Sequence, residues 1–190
     1  MIAVFGGAFN PPTIAHYNVA RHILNLDFID ELIFLPVGDH YEKDDLVTAD
    51  HRVKMLKIMS DLLPGSTVCD LEVNYSKALK TIESLIKLQV LYPNKKLGFV
   101  MGADNLYKLS NWNKSEELIS NFTMIILNRD DLDVEEIINN SFYNYKKNFI
   151  IINDFEKIDI SSSKYRNNIN EAEILHPAVV KYIKEEGLYG

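Results

Sequence analysis

With one cysteine in its 190 residues, the chain can close no intrachain disulfide, which excludes a disulfide-stapled extracellular scaffold. That thiol, Cys69, stands in the apolar run Thr67-Val68-Cys69, a setting that favours a buried inert sulfur over a nucleophile. There is no basic excess either: 20 Lys and Arg against 27 Asp and Glu leave a net charge of −7, so a sequence-independent grip on nucleic acid is not expected. No apolar run is long enough to span a bilayer, and no charged leader with an apolar segment precedes the first strand-like run. The expectation is a cytoplasmic chain with neither membrane nor nucleic-acid partners. No zinc-ligand cluster is present; Asp39, His40 and Asp44 are irregularly spaced in a loop-like stretch, so no protein-held metal is expected. Repeats, low-complexity segments and linkers are absent too, and one domain over residues 1–190 with one substantial core is expected.

What is present is alternation. Short apolar runs at Ile2–Phe5, Leu32–Pro36, Thr67–Val73, Leu97–Met101, Phe122–Leu127 and Phe149–Ile152 read as strands, separated by helix-length segments. Leu79, Ile82, Ile86 and Val90 recur at helical spacing, as do Val53, Leu56, Met59 and Leu63, and each set predicts one apolar helix face. Residues 130–148, rich in Asn and Asp, read as an excursion before the last strand. Such alternation predicts an α/β fold: a Rossmann-like parallel sheet with helices on both faces. Its ligands should bind beyond the strand C-termini, where Gly6, Pro36-Val37-Gly38-Asp39 and Gly102-Ala103-Asp104 fall.

The segment Gly6-Gly7-Ala8-Phe9-Asn10-Pro11-Pro12-Thr13-Ile14-Ala15-His16 suits phosphate chemistry. Two glycines after a strand bring bare backbone N–H groups to an anion, and a helix starting near Pro12 or Thr13 points its positive end at the same place. His16, in the first turn, can donate to oxygens that gain charge during reaction. Gly6-Gly7 alone is equally an ordinary turn. Late in the chain, Ile160-Ser161-Ser162-Ser163-Lys164-Tyr165-Arg166 places hydroxyls and amides at a helix start with an arginine one turn on. Taken alone it is a helix N-cap cluster; together with the first segment it forms a second anion cradle.

The full first string resembles the GGxFxPxxxxH pattern of the (H/T)xxH nucleotidyltransferase superfamily, with Thr13 in the H/T place and His16 as the second histidine. Residues 160–166 resemble the ISSTxxR signature of its adenylyltransferases. Gly102-Ala103-Asp104, then Trp112, then Ser115-Glu116-Glu117-Leu118 resemble the GADxL…W…EEL stretch of nicotinate and nicotinamide mononucleotide adenylyltransferases. Pro36-Val37-Gly38-Asp39-His40-Tyr41-Glu42-Lys43 with His51-Arg52-Val53-Lys54-Met55 is similar to their PVGDxYxK…HRxxM segment, in its eukaryote-like form. The similarity runs from Ile2 to about Arg166, with the segments in family order.

The resemblance implies AMP transfer from ATP to a pyridine mononucleotide, releasing pyrophosphate, with Mg²⁺ brought by the ATP. It assigns His16 to the α-phosphate, and Thr13, Lys43, Ser163 and Arg166 to the other phosphates. Gly6, Gly7, Ala8, Phe9, Gly102, Asp104, Ile160, Ser161 and Ser162 complete the ATP site. Tyr41, Thr81, Asp104 and Trp112 belong to the mononucleotide, with Trp112, the single tryptophan, facing the pyridine ring or anchoring the core. Arg52 is expected to be structural, holding its loop through backbone carbonyls.

One segment departs from the family: Ser76-Lys77-Ala78-Leu79-Lys80-Thr81-Ile82 has Lys77 and Ala78 where an aromatic ring normally precedes the Thr-Leu pair. Tyr75 either replaces that ring or merely covers the helix start. Phosphopantetheine adenylyltransferases share the Thr13/His16 pattern but lack the Gly102–Leu118 stretch. A noncatalytic nucleotide sensor would not need Thr13, His16, Lys43 and Arg166 together. Chain size tilts the expected acceptor towards nicotinate mononucleotide; the Pro36–Lys43 segment leaves nicotinamide and dual specificity open, and a homo-oligomer and a monomer both remain compatible with the chain.

Overall fold

The computed structural model describes residues 1–41, 45–128, 132–155, 160–167 and 172–190. Six parallel strands, β1 (Ile2–Gly7), β2 (Glu31–Pro36), β3 (Ser66–Val68), β4 (Leu97–Gly102), β5 (Thr123–Leu127) and β6 (Phe149–Ile152), form one sheet in the order β3-β2-β1-β4-β5-β6. The helices are α1 (Ile14–Leu24), α2 (Ala49–Ser60), α3 (Thr81–Leu91), α4 (Ala103–Leu109), α5 (Ser115–Asn121), α6 (Val134–Ser141), α7 (Ser162–Asn167) and α8 (Pro177–Glu186). No helix among the described residues is long and apolar enough to cross a membrane.

Both faces of the sheet are covered, which is why its central strands read as unbroken apolar runs. Val4, Ile33, Phe99, Met101, Met124 and Ile126 face one layer built on α3, α4, α5 and α6. Ala3, Leu32, Phe34, Val100, Ile125 and Leu127 face Val19, Ala20 and Ile23 of α1 and Leu56 and Met59 of α2. A third cluster lies behind α2, where Met55 meets Tyr165 of α7 and Val179 and Ile183 of α8.

Three sequence expectations need correction. The run Thr67–Val73 is a strand only over Ser66–Val68, because pairing with β2 stops at Phe34↔Val68 and the chain turns away. On α3 the buried face is Ile82, Leu85 and Leu88, whereas Ile86 (43%) and Val90 (75%) are exposed. Both sets have helical spacing; contact with the sheet, not periodicity, selects between them. The Asn-rich stretch before β6 folds as α6, capped by the Asp133 side chain, which accepts from Glu136 N–H, followed by a 3₁₀ turn over Tyr143–Asn148.

Candidate active site

Strand order reverses direction between β1 and β4, so their loops part there and leave a crevice at the C-terminal edge. Pairing of β1 with β4 ends at Phe5↔Val100, and Gly6-Gly7 and Met101-Gly102 run on past it, each held by its other neighbouring strand, to the mouth of the crevice. A Cβ on Gly6 would stand 3.1 Å from the Phe99 ring, so a side chain here would require that ring to shift by a few tenths of an ångström. Phe9 follows at φ +49°, a conformation a bulky residue adopts at a cost. Its buried ring packs edge-on against Phe5 and Phe34 and stays beneath the loop.

Thr13 is the N-cap of α1, and His16 stands in the first turn as the sequence predicts. The Thr13 N–H donates to His16 Nδ1 (2.9 Å), and Thr13 Oγ1 lies 2.8 Å from the same nitrogen. A ring nitrogen that accepts a backbone N–H carries no proton, so the tautomer is fixed with its proton on Nε2. Phe9 (ring centroids 5.1 Å apart) and Phe5 (6.0 Å) wall the imidazole. Thr13 itself is fully buried, its hydroxyl directed to His16.

Arg52, on α2, has no exposed surface. Its guanidinium donates to the carbonyls of Val47 (2.9 Å), Ala8 (3.1 Å) and Val37 (2.7 Å) and to Asp39 Oδ1 (3.0 Å). One side chain thus ties the glycine loop to the segment after β2, the structural role expected for it. Asp39 also accepts from Ala49 N–H (2.6 Å) at the start of α2. Gly38 is packed so tightly that a Cβ there would lie 2.5 Å from the Glu72 carbonyl oxygen. Lys43 falls outside the described residues. Tyr41 precedes it, 44% exposed.

Asn10 is a node the sequence did not advertise. It is fully buried, donates from Nδ2 to Asp45 O (2.7 Å) and accepts at Oδ1 from Val47 N–H (3.1 Å) and the Tyr189 hydroxyl (2.7 Å). The late cradle docks on the same loop. Ser162 Oγ donates to Pro11 O (2.8 Å) and Arg166 donates to Asn10 O (2.6 Å), so α7 brings Ile160, Ser161 and Ser163 to the glycine loop. Ser163 Oγ lies 3.4 Å from the other Arg166 terminal nitrogen.

On the far side of the crevice, Asp104 is exposed in the first turn of α4, capped by Gly102. Trp112 is half-buried in the α4–α5 loop and meets Phe99 edge-on at 6.1 Å, the same ring that backs Gly6. The half-buried indole thus packs against the core cluster through the ring that backs Gly6 of the glycine loop. Thr81 opens α3. Tyr75 lies with Lys87 Nζ 4.5 Å over its ring, against the second turn of α3. Cys69 is half-buried, and burial pushes its thiol up, as an inert sulfur requires.

Beneath Gly38, Glu72 is buried, accepting from Ser84 Oγ at 2.7 Å. Burial raises its pKa above the ordinary carboxyl range, against a smaller lowering by Ser84. An acid with a raised folded-state pKa stabilises the fold at low pH and loses that contribution as pH rises through the raised value. Glu72→Gln keeps the acceptor for Ser84 and removes the titration. Its melting temperature should rise relative to the parent as pH goes from about 5 to about 8. Melting curves that stay parallel across that range would show that Glu72 does not couple to folding.

The residues of this crevice lie within the match to the cytidylyltransferase-like family, which covers residues 4–168. A probable nicotinate-nucleotide adenylyltransferase of Caldicellulosiruptor saccharolyticus is 31% identical, over 99% of this chain and 98% of its own length. One of Acholeplasma laidlawii is 33% identical over 100% and 97%. Among solved structures, the Plasmodium falciparum nicotinic acid mononucleotide adenylyltransferase complexed with NaAD superposes with a TM-score of 0.83 at 27% identity, covering 99% of this chain and 96% of that one. With full-length similarity joined to a sheet whose crevice gathers the glycine loop, His16, α7 and Trp112, the chain belongs to the cytidylyltransferase-like family, in its nicotinate-nucleotide adenylyltransferase branch.

Proposed function

We propose that the chain transfers AMP from ATP to nicotinate mononucleotide, giving nicotinate adenine dinucleotide and pyrophosphate. The observation that carries this reading is His16, locked by Thr13 as the Nε2–H tautomer at the start of α1 beside Gly6-Gly7. A phosphate monoester has a second pKa of about 6, so the mononucleotide arrives as its own anionic nucleophile and no general base is needed. One of its oxygens attacks the α-phosphorus in line with the bond to the leaving pyrophosphate; that P–O bond breaks as the new one forms. Catalysis then lies in positioning and in stabilising charge. In this reading His16 Nε2–H donates to an α-phosphate oxygen. The amides of Ala8 and Phe9, beyond the last β1–β2 ladder bond, with Lys43, Ser161, Ser163 and Arg166, hold the β- and γ-phosphates. Thr13 serves through His16. Mg²⁺ would arrive with ATP as part of the substrate and would offset negative charge on its phosphates. The reaction is assigned to the cytoplasm, where the lone thiol stays reduced.

Asp104 takes ribose hydroxyls, and Trp112 stacks on the pyridine ring. Pyrophosphate release with ATP and each acceptor tests the whole assignment: nicotinate mononucleotide should be used best, and equal or better use of nicotinamide mononucleotide or phosphopantetheine would overturn it. Trp112→Ala should raise the KM for nicotinate mononucleotide about 5- to 150-fold and spare ATP, since loss of base–aromatic stacking is worth roughly 1–3 kcal/mol. A purely structural indole gives another result. Truncating it would cost ~3–5 kcal/mol of stability and impair both substrates together.

A further inference from the structure

Three side chains from beyond β6 grip residues 10 and 11 of the glycine loop. Two of them, Ser162 and Arg166, belong to α7. The third is Tyr189, 179 positions from Asn10 in sequence and in no motif, whose hydroxyl donates to Asn10 Oδ1 at 2.7 Å. The direction of this bond is fixed. Val47 N–H donates to the same Oδ1 and Asn10 Nδ2 donates to Asp45 O, so flipping the amide would aim donors at donors.

Tyr189 reaches this place by a defined path. Gly187 ends α8 at φ +63°, Leu188 N–H returns to Ile183 O (3.0 Å), and Leu188 tucks into the cluster behind α2. The Tyr189 ring then stands perpendicular to Tyr165 of α7 (90°, centroids 6.0 Å apart). Burial holds the phenol protonated by raising its pKa strongly, although Arg166 and Arg52 pull the other way, so the donor persists at every working pH.

We propose that Tyr189 is a positioning residue for ATP: it clamps Asn10, which presents its carbonyl to Arg166 and anchors Asp45 and Val47 on the exit side of Lys43. This rests on the triphosphate lying against the Gly6–His16 loop. The clamp acts on the groups assigned to the triphosphate and leaves the Trp112 side of the crevice untouched.

Tyr189→Phe removes the hydroxyl and keeps the ring on Tyr165. The variant should show a KM and a calorimetric Kd for MgATP raised about 5- to 10-fold, the worth of one buried hydrogen bond, with kcat and the mononucleotide KM within about twofold. Hydrogen exchange at the Val47 amide should quicken. In a double-mutant cycle, Tyr189→Phe should add nothing once Asn10→Ala is present. Unchanged ATP affinity, additive effects, or an equal loss of both substrates with an early melt would overturn the clamp. The two readings fail separately: a parent protein that binds ATP but releases no pyrophosphate overturns the proposed reaction, while ATP affinity and Val47 exchange in Tyr189→Phe still decide the clamp.

Discussion

His16→Ala should turn over ~10²- to 10³-fold more slowly than the parent, with substrate KM values little changed, because a donor aimed at developing charge stabilises the transition state more than the ground state. The imidazole has a second duty that must be separated from this one. By accepting the Thr13 N–H at 2.9 Å it caps α1, much as a Glu or Gln at the third helical position does. Losing a cap costs about 0.5–2 kcal/mol of stability and predicts no such fall in turnover. His16→Gln separates them, since its side-chain oxygen can accept from Thr13 while its amide cannot reproduce an Nε2–H held between Phe5 and Phe9. Steady-state rates and urea unfolding on parent, Ala and Gln variants decide it. Gln should recover stability without recovering turnover. A Gln variant with near-parental kcat, or an Ala variant slowed less than about fivefold, would sink the donor role.

The fold was legible because parallel strands buried on both faces appear as short apolar runs, five of which sit within about two residues of the strands they predict. Thr67–Val73 was over-read: Asp70-Leu71-Glu72-Val73 alternates polar and apolar as a strand would, but pairing with β2 ends at Val68 and Glu72 and Val73 pack beneath Gly38 instead. The glycine loop and His16 were legible because their chemistry is local, lying within eleven successive residues. The fixing of His16 by Thr13 was not legible: the family resemblance assigns Thr13 to the phosphates, whereas its buried hydroxyl and its N–H both meet His16 Nδ1. Asn10 and Tyr189 were not legible. Their hydrogen bond spans nearly the whole chain, and neither a lone Asn before Pro nor a late Tyr carries a periodic signal. Trp112 was half legible, since polar neighbours foretold a loop but nothing in them foretold its edge contact with Phe99.

Arg52→Ala is expected to be the most destabilising single change in the crevice. A guanidinium with no exposed surface is tolerable only because its hydrogen bonds replace water, and here four go to Val47 O, Ala8 O, Val37 O and Asp39 Oδ1. Removing it strands three carbonyls and leaves the Asp39 carboxylate with the Ala49 N–H alone. Breaking a buried charged pair costs ~3–5 kcal/mol, and Asp39, still half-exposed, can regain water, which places the expected loss at about 3 kcal/mol. Arg52→Lys should recover little of this. A single ammonium cannot span three carbonyls that a planar fork reaches from several nitrogens. Since Ala8 lies in the loop assigned to the triphosphate and Val37 follows β2, ATP affinity should fall together with stability. Arg52→Met, which fills much of the volume without donors, isolates packing from hydrogen bonding. Urea unfolding of the three variants gives the ordering: Lys and Met both well below the parent, Ala lowest. Were Met to match the parent, packing alone would account for Arg52, and the loops would be held together by the Asn10 contacts and α7 without it.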